Sequence, residues 1–227
     1  MGCSAGNQPL LSARAEEVLL FPGTLAAQPS EKSSESAMTM FSSSSTLLLI
    51  DLQNAIDDPS WGIRNNPQAE ANVGRLLTAW RSTRRPIIHV RHVSHSPGST
   101  YRDGQAGVDF KDVARPSPGE HVLTKHVCTA FIGTDLEARL RASGCEEVVI
   151  AGVITNNSVE ATARACGDLG FRTIVVSDAT FTFGRRDYDG VMRTAGEVHA
   201  MSLANLSGEY AQICTTDEVL ERAGGME

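Results

Sequence analysis

The chain has 227 residues, 41% of them hydrophobic and 21% charged, with a formal net charge of −7. This is the composition of a globular domain with a core to bury. The negative charge argues against a general nucleic-acid binder, and 5% aromatic residues leave no stacking platform for single strands. No apolar run reaches the ~18 residues of a membrane span, so no membrane partner is expected. The five cysteines are odd in number and lack a C-x-x-C pair, which reads as reduced thiols in a cytoplasmic protein.

Residues 1–44 differ from the rest. From Gln28 to Ser45 the chain is mostly Ser, Thr, Ala and Glu, and it reads as a disordered tail ahead of a domain at 45–227. The opening MGCSAG lacks the Ser or Thr that N-myristoylation wants at its sixth position.

From Thr46 short apolar runs alternate with helical patterns. Thr46–Ile50 is a continuous apolar run, as in a strand covered on both faces. Val73, Leu76, Leu77 and Trp80 have helical spacing within 68–84, and Pro86 stops that helix. Ile87 to Val93 is the second strand. Residues 94–120, rich in Gly, Pro and Ser, form a loop long enough to suggest a function such as a lid. His121 to Lys125 is a short strand. Thr134 and Glu137 suggest a capping box for a helix carrying Leu136 and Leu140, which Gly144 ends. Val148 to Val153 is the most apolar strand and is placed centrally. A helix is expected from about Ser158 to Leu169, a strand at Thr173–Val176, and a helix from about Tyr188 to Leu206. Ala211–Cys214 is the last strand, and Thr215 with Glu218 caps a terminal helix. Such alternation predicts an α/β fold: a three-layer α/β/α, Rossmann-like arrangement around a parallel sheet.

In such sheets the ligand sits beyond the carboxyl ends of the central strands. Polar residues there stand out. Asp51 closes LLLID, where a carboxylate is costly unless paired, and Lys125 closes HVLTK and is the natural partner. The segment GVITNNS, 152–158, leads from a strand into a helix whose first N–H groups favour a developing oxyanion. Each residue also has a plainer reading: a loop-fixing Asp, a snorkelling Lys, an N-cap among Asn156, Asn157 and Ser158.

Together LLLIDLQN at 47–54, TKHVCTAFIGTDLEARLRASG at 124–144, VVIAGVITNNSVEATARACGDLGFRTIVVSDATFTF at 148–183 and EVHAMSLANLSGEYAQICTTDEVL at 197–220 resemble the isochorismatase-like (cysteine hydrolase) family, across about residues 45–222. The resemblance implies a six-stranded parallel sheet ordered 3-2-1-4-5-6 and a homo-oligomer. It makes Asp51 the acid/base, Lys125 the electrostatic partner and Ser158 the nucleophile position. It also implies a cis peptide at Val153–Ile154, with the N–H groups of Ile154 and Ser158 forming an oxyanion hole.

Serine replaces the cysteine that this family's amidases carry. A hydroxyl is far less acidic than a thiol, and serine enzymes usually recruit a histidine or lysine base. The readings are a hydrolase of a small C–N bond (amide, lactam or ureide), an isochorismatase-type vinyl-ether hydrolase driven by Asp51 without a covalent intermediate, and a catalytically weak ligand-binding protein. The serine could also be an engineered replacement for cysteine. Cys128 and Cys166 read as core thiols. The metal-binding branch uses an Asp-x-His motif that DDPSWGIRNNP lacks, and His89, His92 and His95 alternate faces on a strand, so no metal and no cofactor are expected. Gln53, Trp61, His92, Tyr101, Phe131 and Asn156 are expected around a small-molecule substrate, with Arg102 or Lys111 as candidates for a substrate carboxylate.

Overall fold

The chain is described here by a computed structural model covering residues 40–224. Each apolar run becomes a strand of one sheet: β1 (Thr46–Ile50), β2 (Ile87–His92), β3 (His121–Lys125), β4 (Glu147–Val153) and β5 (Arg172–Phe181). A small hairpin, β6 (Arg185–Arg186) and β7 (Met192–Arg193), precedes the last sheet strand, β8 (Gln212–Cys214). The sheet order is β3-β2-β1-β4-β5-β8, with every neighbouring pair parallel. The helices are α1 (Ala69–Ser82), α2 (Leu136–Ala142), α3 (Glu160–Asp168), α4 (Ala195–Leu206) and α5 (Thr216–Ala223).

The pleat sorts β1 between two cores. Leu47 and Leu49 pack with Val73, Leu76, Leu77 and Trp80 of α1 and with Val219 and Leu220 of α5. Leu48 and Ile50 face the other way, onto Leu136 and Leu140 of α2 and Ala163 and Cys166 of α3. Each such aliphatic side chain, fully buried, contributes about 1.5–3 kcal/mol. Because both faces of β1 are covered, its uninterrupted apolar run has no solvent side to mark with polar residues.

Four expectations change. Residues 1–39 lie outside the described residues, but 40–44 belong to the fold rather than to a tail. Phe41 is buried against Trp80, with ring centroids 5.6 Å apart, and its N–H donates to the Arg222 carbonyl at 3.0 Å. The α2 helix has Asp135, not Thr134, at its N-cap and no capping box: the Asp135 side chain caps nothing, while the Thr134 hydroxyl donates to the Ala130 carbonyl at 2.5 Å and accepts from Leu136 N–H at 3.3 Å. β5 continues past Val176 to Phe181, where the Asn66 amide bonds the carbonyls of Ser177 and Thr180 beside a register shift. Finally, 188–193 is not helical. Asp187 accepts from the N–H groups of Asp189 and Val191, and Gly190 takes φ +84°, so turn chemistry closes a hairpin there. The helix begins only at Thr194, which with Glu197 makes a full capping box.

One close approach positions the chemistry that follows. Gly152, one residue before the end of β4, has φ +123°, and a Cβ built on it would lie 2.1 Å from the Ile50 carbonyl oxygen. Only glycine lets β4 pass so near the end of β1.

Candidate functional site

Asp51, Lys125 and Ser158 meet at the carboxyl ends of β1, β3 and β4. Asp51 follows β1 with φ +51° and is 4% exposed. Its N–H donates to Val90 and its carbonyl accepts from Gln53 N–H and Tyr101 Oη, which holds the residue in this sparsely populated region. Lys125 is 1% exposed. Its Nζ donates to Asp51 Oδ2 at 2.7 Å, to the Val127 carbonyl at 3.1 Å and to Ser158 Oγ at 3.1 Å. These three bonds use the full donor set of an ammonium group.

Burial raises the Asp51 pKa above its ordinary 3.8, opposed by the charge and hydrogen bond of Lys125 and by the Ser158 hydroxyl. Oδ1 is buried and has no hydrogen-bond partner of good geometry among the described residues, although Ser158 lies near enough to favour the ionised form.

The Val153–Ile154 peptide is cis, and Ile154 leads into a wide π-type turn, Thr155–Val159, in which Val159 N–H reaches the Ile154 carbonyl. Ser158 therefore sits in this turn, ahead of α3, rather than at the first position of the helix. Every residue of the turn up to Ser158 is tied to a different element. The Thr155 hydroxyl lies 2.9 Å from His199 Nδ1 on α4. Asn156 Oδ1 accepts from Thr182 Oγ1 at 2.5 Å, Asn157 Oδ1 accepts from Cys128 Sγ at 2.9 Å, and Ser158 Oγ accepts from Lys125.

Of the expected pocket residues, His92 and Tyr101 are brought beside this group. His92 pairs in register with Lys125, and its ring meets Tyr101 edge-on at 5.6 Å. Burial, with the nearby charges of Lys125, His126 and His95, pushes the His92 pKa down to about 4, so the ring is neutral at pH 7. Burial also raises Tyr101 well above 10.0. Trp61 stacks on Phe183 and meets Tyr101 edge-on, while its Nε1 donates to the Ala55 carbonyl. Gln53 is buried with its amide spent on backbone: Nε2 donates to the carbonyls of His92 and Val108, and Oε1 accepts from His92 N–H. Phe131 is not brought to the group. Its ring stacks on Phe171, just before β5 at the opposite end of the sheet. Lys111 is tied to Asp57 and Glu70. Cys128 is exposed, not a core thiol, whereas Cys145, Cys166 and Cys214 are buried and free. Among the described residues no group of three or more His, Cys, Asp or Glu side chains is arranged to hold a metal ion, and no helix is long and apolar enough to cross a membrane.

His199 and Ser202 are not among the residues expected at the site, yet both reach the turn from α4. Their only signal is the spacing of two polar residues three apart on one face of α4.

A doubly covered parallel sheet with polar groups gathered at its carboxyl ends defines an α/β enzyme, and comparison with known proteins makes the class a hydrolase. The profile of the isochorismatase domain matches residues 45–218. The Bacillus subtilis isochorismatase family protein YrdC is 40% identical over 174 residues, covering 77% of this chain and 93% of its own. The crystal structure of an isochorismatase-family hydrolase from Chromobacterium violaceum superposes with a TM-score of 0.80 at 53% identity, covering 83% of this chain and 97% of that one. The ureidoacrylate amidohydrolase RutB of Variovorax paradoxus is 26% identical over 216 residues, covering 80% and 82%. The chain belongs to the isochorismatase family.

Proposed function

We propose that this hydrolase cleaves the C–N bond of a small amide, lactam or ureide, with Ser158 as nucleophile, Asp51 as acid/base and Lys125 as the charge that stabilises both. The observation that carries the reading is the junction at Lys125 Nζ, 2.7 Å from Asp51 and 3.1 Å from Ser158. With Ser158 Oγ accepting from Lys125, its own proton is free to pass to Asp51 Oδ1, the oxygen without a well-formed bond. Oγ then attacks the carbonyl carbon, and the N–H groups of Ile154 and Ser158 receive the developing oxyanion. Asp51 returns the proton to the leaving nitrogen, and the acyl ester stays on Ser158. Water cleaves the ester with Asp51 again as base. The amidohydrolase named among the relatives supports a C–N bond as the target.

His92, Tyr101 and Trp61 would line the substrate space, with Gln53 and Asn156 shaping its walls through the backbone they hold. The enzyme is read as a cytoplasmic homo-oligomer. The outward side of α4, where Met201 is 64% exposed, supports the oligomer.

A second reading has one observation in its favour. Burial raises the Asp51 pKa, so Asp51 can also serve as a protonated acid, as vinyl-ether hydrolysis without a covalent intermediate requires. The test is ammonia release from a panel of small amides and ureides by the chain as it stands, by Asp51→Asn and by Ser158→Cys. Turnover lost in Asp51→Asn and in a Ser158→Ala control supports the serine hydrolase. Turnover that survives Ser158→Ala but not Asp51→Asn moves the assignment to the non-covalent reaction. Turnover only in Ser158→Cys marks the native chain as a ligand-binding relative.

A further inference from the structure

Two polar residues of α4, His199 and Ser202, face inward beside Ala195 and Leu206. Ser202 is 2% exposed and His199 half-buried, while Met201, beside Ser202 in the chain, is 64% exposed. Burying polar atoms is unfavourable unless they have partners, and those of His199 and Ser202 include Thr155, in the turn that carries Ser158, and Glu160 just after it. His199 Nδ1 is 2.9 Å from Thr155 Oγ1. Ser202 Oγ is 3.1 Å from the Thr155 carbonyl and 2.6 Å from Glu160 Oε2, at the start of α3. Burial lowers the His199 pKa from its ordinary 6.5, and the nearby Ser177 carbonyl of β5 works against that shift. A neutral imidazole has a single N–H. With that N–H on Nε2, Nδ1 accepts the Thr155 hydroxyl proton; with it on Nδ1, the Thr155 oxygen accepts.

Thr155 is wholly buried and follows Ile154 directly. Its side chain and its carbonyl are thus both held by α4, one turn apart on the same helix face. The other ties of the turn reach Asn156, Asn157 and Ser158 from Thr182, Cys128 and Lys125, and none of these fixes the residue that joins Ile154 to the rest.

We infer that His199, with Ser202 beside it, is a positioning residue that sets the separation of the Ile154 and Ser158 N–H groups by fixing Thr155 between them. The inference rests on the hydrolase reading above. Its effect falls on the transition state, because a shifted oxyanion donor weakens stabilisation of developing charge more than it weakens substrate binding.

The experiment compares His199→Leu, His199→Asn, Thr155→Val and the Leu/Val double variant, in whichever of the native and Ser158→Cys forms turns over faster. His199→Leu and Thr155→Val are expected to lower kcat by about 10- to 100-fold, short of the full loss of an oxyanion donor, with KM within about threefold. His199→Asn, which places an amide oxygen near Nδ1, is expected to recover kcat to within about threefold of the parent. The double variant should be no worse than either single one, because both break the same contact. Equal losses in His199→Asn and His199→Leu, multiplying losses in the double variant, or a change confined to KM would overturn the role. If no form turns over, the hydrolase reading fails by itself, and amide hydrogen exchange over 154–159 decides the brace. Exchange there raised about tenfold by His199→Leu and by Thr155→Val, but not in β1, upholds it. Unchanged exchange overturns it.

Discussion

Replacing Lys125 with Met removes one charge from the centre of the site and keeps most of the stem's volume. The Lys125 and Asp51 side chains are 0% and 5% exposed, and their charged atoms are 2.7 Å apart. In Lys125→Met only the Ser158 hydroxyl is left to oppose the desolvation of Asp51. Breaking a buried pair by removing one partner costs about 3–5 kcal/mol. For a chain of this size each kcal/mol lowers Tm by about 2–4 °C, so the expected fall at neutral pH is roughly 6–20 °C. The pH dependence has a definite sign. The folded Asp51 pKa, already above 3.8, rises further without Lys125. A carboxyl whose folded pKa exceeds its unfolded value favours folding while protonated, and it penalises folding increasingly as pH climbs from the unfolded to the folded value. The stability gap between the native chain and Lys125→Met should therefore narrow as pH falls toward 3.8. Adding Asp51→Asn should recover part of the loss at neutral pH. Thermal melts at a series of pH values make the measurement. A variant as stable as the native chain at neutral pH, or a gap that ignores pH, would refute the reasoning.

Other outcomes follow from the same geometry. The acid limb of kcat/KM should lie above pH 3.8, because burial raises Asp51 and only its ionised form accepts the Ser158 proton; a limb below that value in a rate–pH profile contradicts the role. Trp80→Ala should cost about 3–5 kcal/mol in urea unfolding, since Trp80 is fully buried and its Nε1 bond to the Ser45 carbonyl is lost. Although burial works against it, bonds from Arg81, Ser117 N–H and His89 hold Glu120 down to about 2. Its contribution is thus complete above its ordinary 4.5 and fades as pH falls to about 2, so the stability difference from Glu120→Gln should shrink over that window in thermal melts. Iodoacetamide should alkylate exposed Cys128 in the native chain and spare Cys145, Cys166 and Cys214 until unfolding, as mass spectrometry of peptides would report. Burial pushes the Cys166 thiol up to about 12.

The sheet was legible because β1 and β4 are buried on both faces and so are written as unbroken apolar runs. Asp51 and Lys125 could be picked out for the complementary reason: a charge at the end of such a run demands a partner. The hairpin at 185–193 was not legible, since Tyr188, Val191 and Met192 mimic a helical stripe and only the Asp187 turn decides otherwise. Gln53 looked like a ligand-binding amide, yet its three bonds are to backbone far away in sequence, which no local pattern reveals. His199 was hidden for a related reason: its partner, Thr155, lies 44 residues earlier in the chain.

Gly152 shows which changes of chemistry this frame can accept. The gap between β1, which ends before Asp51, and β4, which leads to Ser158, is set by main-chain atoms, and a Cβ at 152 would meet the Ile50 oxygen, nitrogen and carbon at 2.1–2.9 Å. The spacing of the site is therefore independent of which atom stands at 158. Oxygen or sulfur can stand there without moving the holder, though they differ in acidity, while a single methyl group at 152 would wedge it open and carry Asp51 away from its partners. An effort to retarget this enzyme should keep glycine at 152, as part of the instrument.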